Sequence, residues 1–331
     1  MSRTVGYVYP ALGGDYSFDF GLFRIGGPGL GNCLLSWARA SVAADTFGLR
    51  RVSPAWPSCK IGRLLRGDHD KRFFADLFHS EPDAVDGAGK LMILATCKRR
   101  RFVVPSEIGH DQPSLLYVAW GGVVAPMYFS ELTEHRSAIA ARLVKMTRRH
   151  NLAALKDLGQ PDLAVHVRLG DFLVGTADGS FVNRRISLDW YARQIRRVQA
   201  EAGRSLDIAI FSDGDAAELN ELTKIKGTQL IQTGSPIGDL FGLALAKCLI
   251  ASASTFSMWA AYLSGAPSIW HPGAHFQQVG DQPDCEIEHS GEVPFPQPFL
   301  SAYSAMFDTA GRLSDNRNCW LRLMDDATDA Q

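Results

Sequence analysis

From residue 161 to residue 270 the chain repeats one pattern: a short apolar run, a polar cluster, then an amphipathic segment. The apolar runs are Leu163–Val167, Leu206–Phe211, Gln229–Gln232, Leu249–Ser252 and Ser268–Trp270. Helices are predicted between them. Ser187 caps one that carries Leu188, Tyr191, Ile195 and Val198 on one side. Ala216–Thr223 forms the next, and Ser235-Pro236 opens a third with Ile237, Leu240, Phe241 and Ala244, with Asp239 in its first turn. Thr255–Ser264 forms the last. Strict alternation of short apolar strands with helices predicts a parallel, doubly wound sheet.

The first half is less regular. Strands near Val5–Tyr9 and Phe20–Ile25 precede a glycine-rich turn, Gly26-Gly27-Pro28-Gly29-Leu30-Gly31-Asn32. A helix follows with Leu34, Ala38 and Val42 at four-residue steps, closed by Gly48. Further strands are expected at Leu91–Leu94, Arg101–Val104 and Leu115–Trp120. A long helix from Glu131 to His150 would bring Leu132, Ile139, Leu143 and Met146 to one side. Lys145, Arg148 and Arg149 would then sit at its negative end. The break at Gly159-Gln160-Pro161 divides the chain into two expected domains, 1–155 and 156–331. The stretch from Pro272 to Pro298 reads as loop, and a last short helix is expected near Arg312–Met324.

Composition narrows the function classes. With 331 residues, 46% hydrophobic and 21% charged, the chain is neither disordered nor collagen-like. A formal charge of −1, from 34 basic and 35 acidic residues, argues against a dedicated nucleic-acid binder. The six cysteines (33, 59, 97, 248, 285 and 319) show no C-x-x-C spacing and are too sparse for a disulfide scaffold. The start, Met1-Ser2-Arg3-Thr4-Val5, lacks the plan of a signal peptide. Cys248–Trp270 is uncharged and long enough to span a bilayer. Its many hydroxyls and Gly265-Ala266-Pro267 favour a buried strand–helix–strand instead. The expected location is cytoplasmic.

In open parallel sheets ligands bind beyond the carboxyl ends of the strands. Three polar segments fall there: His166-Val167-Arg168-Leu169-Gly170-Asp171-Phe172, Phe211-Ser212-Asp213-Gly214-Asp215, and Ser252-Ala253-Ser254-Thr255-Phe256-Ser257. Arg168 is a permanent, forked cation suited to phosphate oxygens, and hydroxyls and amides at a helix start form an anion site. Together they outline a diphosphate clamp, with Asp213 or Asp215 available to ribose or base. Each also has a plainer role: a polar strand end for His166 and Arg168, turn residues for Asp213 and Asp215, a helix cap for Ser254 and Thr255. The glycine turn matches neither G-x-G-x-x-G with its acidic partner nor the P-loop with its lysine.

These segments resemble, in order and spacing, motifs of the bacterial α-1,2-fucosyltransferases (glycosyltransferase family 11) and, more loosely, of the α-1,6- and protein O-fucosyltransferases. Gly26–Asn32 resembles G-G-L-G-N-Q. His166–Phe172 resembles H-x-R-R-G-D-Y. Asp239 with Cys248–Leu263 resembles D…C-x-x-x-I-x-S-N-S-T-F-S-W-W-G-A-W-L, and Phe211–Gly214 echoes F-S-D-D. The resemblance implies two facing Rossmann-like domains (the GT-B arrangement), the first on the acceptor side and the second holding the nucleotide sugar. It implies an inverting transfer of fucose from GDP-fucose to a glycan hydroxyl, with no metal or other cofactor. Arg168 would neutralise the departing diphosphate and His166 would lie near guanine. Gly170 and Asp171 belong to the same motif. Ser254, Thr255 and Phe256 would line the diphosphate side, while Gly29, Gly31 and Asn32 would approach the donor from the first domain.

The departures from the family pattern have chemical content. Leu169 replaces the second motif arginine, Cys33 the glutamine, Ala253 the asparagine of S-N-S, and Gly214 the second acid of F-S-D-D. Leu169 weakens the α-1,2 assignment and the identity of the sugar. An inverting transfer wants a general base at the acceptor hydroxyl. Asp178, in the loop after the arginine motif, is the candidate, with Asp171 as the alternative. No metal motif is evident: Asp213-Gly214-Asp215 has the bare spacing only, and Pro272-Gly273 breaks any helix aligning His271 with His275. The run Lys98-Arg99-Arg100-Arg101 reads as a solvated edge, and its other use is contact with a lipid-linked acceptor or the inner face of a membrane. Two rival functions stay open: a non-catalytic nucleotide-sugar or glycan-binding protein, and the same fold acting on another GDP-deoxyhexose.

Overall fold

The computed structural model describes residues 6–14, 17–59, 73–108, 115–120, 127–169, 185–280, 282–307 and 315–329. The chain divides into two compact units, Met1–Arg148 and Arg149–Gln331. Both are α/β, and each is built on a parallel sheet.

In the first unit the elements are β1 (Tyr7–Ala11), β2 (Ser17–Asp19), β3 (Arg24–Gly26), α1 (Leu30–Phe47), β4 (Arg50–Arg51), β5 (Ser58–Cys59), α2 (Gly87–Thr96), β6 (Lys98–Phe102), β7 (Leu115–Trp120) and α3 (Arg136–Met146). The main sheet has the order β4-β1-β7-β6, and a small sheet has the order β2-β3-β5. Alternation along the strands gives the main sheet two apolar faces. Val8, Tyr117, Ala119 and Phe102 pack on α1, while Tyr9, Ala11, Leu116 and Val118 pack on Ile93 of α2. Helix α1 ends where Gly48 takes the left-handed conformation (φ 65°) and its N–H reaches Ala44 O, a stop that glycine makes without steric cost.

In the second unit α4 (Ala153–Leu158), β8 (Leu163–Val167), α5 (Leu188–Ala202), β9 (Ile208–Ser212), α6 (Asn220–Thr223), β10 (Thr228–Leu230), α7 (Pro236–Leu245), β11 (Leu249–Ile250), α8 (Thr255–Ser264), β12 (Ser268–Trp270), β13 (Glu286–Glu288), α9 (Gln297–Ala305) and α10 (Asp315–Asp329) follow in order. All six strands are parallel, in the order β10-β9-β8-β11-β12-β13. This is the doubly wound order in which the winding reverses between the first and fourth strands, here β8 and β11. Leu163, Val165 and Val167 bury one face of β8 in a core with Trp190, Ile195 and Val198 of α5. Each fully buried aliphatic side chain contributes roughly 1.5–3 kcal/mol, enough to fix which face of β8 turns inward. His166 and Arg168 are therefore sent to the opposite face. Cys248–Trp270 is a strand, a helix and a strand, and among the described residues no helix is long and apolar enough to cross a membrane.

Several expected elements differ from those observed, four of them instructively. Leu91–Leu94 is helical, within α2, because Asp86 accepts the Gly87 N–H as a cap and the apolar run is too short to fix its own period. The helix expected over Glu131–His150 is α3 alone. Glu131 sits at φ 62°, outside the right-handed helix, and Thr147 is extended. The loop after Pro272 contains the sixth strand, β13, whose Glu286 is buried and accepts N–H groups from Val279 and Gly280. The last helix runs over Asp315–Asp329.

Candidate functional site

The carboxyl ends of β8 and β11 meet at the reversal point of the second sheet, and the polar segments converge there. After β11 the chain enters α8 through a serine network. Ser254 is the N-cap, accepting the Ser257 N–H at 3.3 Å, and Ser257 Oγ accepts the Ser252 N–H at 3.0 Å. The first bond caps the helix, and the second ties its first turn back to the end of β11. Ser252 Oγ also lies 2.8 Å from Ser254 Oγ and 3.1 Å from Ser257 Oγ. His166, at the end of β8, joins the network: its Nδ1 is 2.7 Å from Ser257 Oγ and 3.0 Å from Ser252 Oγ. No other side chain among the described residues bonds the ring, so Nε2 is the nitrogen left for a ligand. Phe256 lies against the imidazole, with ring centroids 5.1 Å apart.

Burial, and then the Arg168 charge, push the His166 pKa down to about 3. The imidazole is thus neutral at physiological pH and binds as a dipole. The unfolded chain takes up this proton near 6.5 and the folded chain only near 3. Between those values the unfolded state binds more protons, so stability falls as pH falls, by about 1.4 kcal/mol per pH unit from this residue. Urea melts from pH 7 to 5 should show a shallower acid loss in His166→Gln than in the unaltered protein. Equal slopes would remove the assignment.

Arg168 follows β8 on the His166 side. Its Nη1 is 2.9 Å from Asp213 Oδ2, and Asp213 Oδ1 accepts the Leu169 N–H at 2.8 Å. Asp213 therefore ties the segment after β9 to the segment after β8 and orients the guanidinium. Tyr191 of α5 is fully buried nearby, and burial followed by the Asp213 charge raises its pKa, keeping the phenol protonated. Asp215 is exposed and offers its N–H to Glu218 Oε2 at 3.0 Å. Thr255 and Phe256, half-buried, occupy the first turn of α8. Gly170, Asp171 and Asp178 lie outside the described residues.

Gly29, Gly31 and Asn32 lie in the first unit, at the start of α1, for which Gly29 is the N-cap. Gly27, at φ 102°, turns the chain so closely that a Cβ would stand 2.7 Å from Arg24 Nη1 and 3.4 Å from Gly13 Cα. This part of the glycine motif is structural. Arg24, fully buried, donates to Ala55 O at 2.7 Å. Asn32 Oδ1 is buried without a hydrogen-bond partner, which leaves it able to accept from a ligand.

The motif reading left Ser252 and Ser257 out of the proposed site. The signal was a serine two residues before and three after the cap. His275 is engaged by Glu286 at 2.6 Å, and among the described residues no three His, Cys, Asp or Glu side chains gather as a metal site.

A six-stranded parallel sheet in this order, with its polar side chains collected at the winding reversal beside a helix start, defines an α/β protein of the Rossmann type. Residues 130–275, which carry His166, Arg168, Asp213 and the serine network, match the family model described as Glycosyl transferase family 11. No curated protein matches the chain in sequence. Among solved structures, NodZ α-1,6-fucosyltransferase soaked with GDP-fucose is similar at 17% identity over 82% of this chain and 95% of that one, with a TM-score of 0.48. An Arabidopsis thaliana FUT1 variant in complex with GDP is 15% identical over 80% of this chain and 70% of that one, with a TM-score of 0.45. POFUT1 in complex with GDP is 14% identical over 82% and 99%, also with a TM-score of 0.45.

Proposed function

We propose that the protein transfers fucose from GDP-fucose to a glycan hydroxyl, with inversion and without a metal ion. What supports this reading is that one guanidinium and one serine-rich helix start follow neighbouring strands, β8 and β11, at the sheet reversal of the second unit. An acceptor oxygen attacks C1 of fucose, and the bond from C1 to the β-phosphate oxygen breaks. GDP leaves with the electron pair, and the acceptor proton passes to a base, for which Asp178 is the candidate. Charge therefore builds on the diphosphate. Arg168, with the N–H groups and hydroxyls at the start of α8, is the fixed positive field that meets it. His166 presents a neutral Nε2 to the guanine side. Asp213 keeps Arg168 aimed, and Gly170, Asp171 and Asp215 belong to the donor side.

In this reading the second unit binds the donor and the first the acceptor. The linkage proposed is α-1,2, made in the cytoplasm on a precursor of a cell-surface or exported glycan. Titration with nucleoside diphosphates tests the donor assignment: GDP should bind at least about tenfold more tightly than ADP or UDP, and EDTA should leave donor turnover unchanged. Equal binding of all three would refute the guanine assignment, and loss of turnover with EDTA the metal-free mechanism. Slow hydrolysis of GDP-fucose without acceptor distinguishes a transferase from a binding protein.

A further inference from the structure

The first unit contains a cavity of about 450 Å³ at the carboxyl end of its own sheet, on the face covered by α2. Strand alternation decides what lines it. Tyr9 pairs in register with Val118, and Ala11 with Trp120. On the other side of β7, Arg101 pairs with Val118 and Arg99 with Leu116. Tyr9, Ala11, Val118, Trp120, Arg99 and Arg101 thus share one face, and Lys98 and Arg100 are turned to the other. The basic run is not a uniform solvated edge: two of its four cations form a wall of the cavity.

The wall has a definite charge balance. Asp19, from β2, also lines the cavity and accepts the Tyr9 O–H at 2.6 Å and the Gly21 N–H at 2.8 Å. Its negative charge is felt by Lys90, a buried cation on α2 whose Nζ donates to Pro54 O at 3.3 Å. That leaves the two arginines. Arg99 donates to Leu94 O, and the Arg101 guanidinium lies flat on Trp120, 3.7 Å from the ring centroid. Among the described residues neither has a carboxylate partner. At the mouth Phe20 is 54% exposed and stacks on Phe23, giving a ring-shaped apolar surface beside the cations.

We propose that this cavity binds the acceptor and selects a sugar carrying an anionic group, either a carboxylate or a phosphate. The proposal rests on the reading of the first unit as the acceptor side. An apolar sugar face lies on Phe20, hydroxyls donate to the lone pairs left on Asp19, and the anion meets Arg99 and Arg101. A guanidinium held flat by an aromatic ring keeps its edge N–H groups free to donate, so little ordering is required when the anion binds.

The test is isothermal titration of the full chain, saturated with GDP, with methyl glucuronide, glucose 6-phosphate and neutral methyl glucoside. At least one anionic sugar should bind about tenfold or more tightly than the glucoside, as a hydrogen bond between charged groups implies. Which of the two binds better identifies the anion. The preference should disappear in the double variant Arg99→Gln, Arg101→Gln, with the single variants standing in if the double variant fails to fold. Equal affinity for all three sugars, or a preference that survives these substitutions, overturns the proposal. GDP titrated alone into the unaltered protein reports on the second unit separately. A protein that binds GDP but shows no anion preference loses this inference and keeps the donor site. A protein that prefers the anions but ignores GDP loses the donor reading instead.

Discussion

Replacing Arg168 by alanine is expected to lower transfer of the sugar by about a hundred- to a thousandfold, while the thermal melt stays close to that of the unaltered protein. The size follows from removing one preorganised donor aimed at charge that develops in the transition state, about 2.7–4 kcal/mol. The fold should tolerate it because the side chain lies at the end of β8 and is 18% exposed. Asp213 keeps its bond from the Leu169 N–H when the guanidinium is gone. Arg168→Lys should recover only part of the loss, since an ammonium keeps the charge and loses the fork that fits two phosphate oxygens. Initial rates with GDP-fucose alone and with acceptor, beside GDP affinity, are the measurements. Rates within twofold of the unaltered enzyme would mean that the diphosphate is met elsewhere.

The second large effect lies far from any ligand. Arg317→Ala should cost at least about 1.5–3 kcal/mol of stability, read as a lower midpoint in denaturant. Helix α7 ends at Leu245 without a glycine, and its last carbonyls find their donor on α10. Arg317 donates to Ala244 O at 2.7 Å, Leu245 O at 2.6 Å and Ala246 O at 2.9 Å, and the Trp320 N–H adds a bond to Ala244 O at 2.9 Å. Arg317 is fully buried, and burial pulls its pKa down to about 9, so it is still a cation at neutral pH, placed at the negative end of a helix. Alanine leaves buried carbonyls without partners and a void where the guanidinium stood. Arg317→Met should recover the volume but not the bonds. A midpoint unmoved by either substitution would show that α10 contributes little to the second unit.

Much of the second sheet was legible because its elements advertise themselves locally. Leu163–Val167 is apolar but for His166. Ser187, Ser235 and Ser254 each cap the helix that follows, and Gly265 ends α8 at φ 58°. Strand β13 was not legible, because Glu286-Ile287-Glu288 has the composition of a loop. Its buried carboxylate is stabilised by the N–H groups of Val279 and Gly280 and by His275, partners that only the folded chain brings together. The run at Leu91–Leu94 misled because four apolar residues suit either period, and in α2 Leu91 and Met92 are exposed. At the site, the strand ends named Arg168 and His166, but pairings decide their chemistry. The sequence offers Asp213 for a ribose or base, and the structure adds its bonds to Arg168 and to the Leu169 N–H, which no sequence spacing announces.

Strand β6 is the outermost strand of the first sheet among the described residues, so one row of its backbone N–H and C=O groups has no neighbouring strand. Such a margin is a template for a strand from another molecule, and lysine or arginine beside it is a common safeguard. Lys98 and Arg100, turned away from the cavity, are cations of the kind that guards such a margin. Neutralising both would invite filament-like association, so variants at this margin are best kept to Arg99 and Arg101, with Lys98 and Arg100 left as sentries.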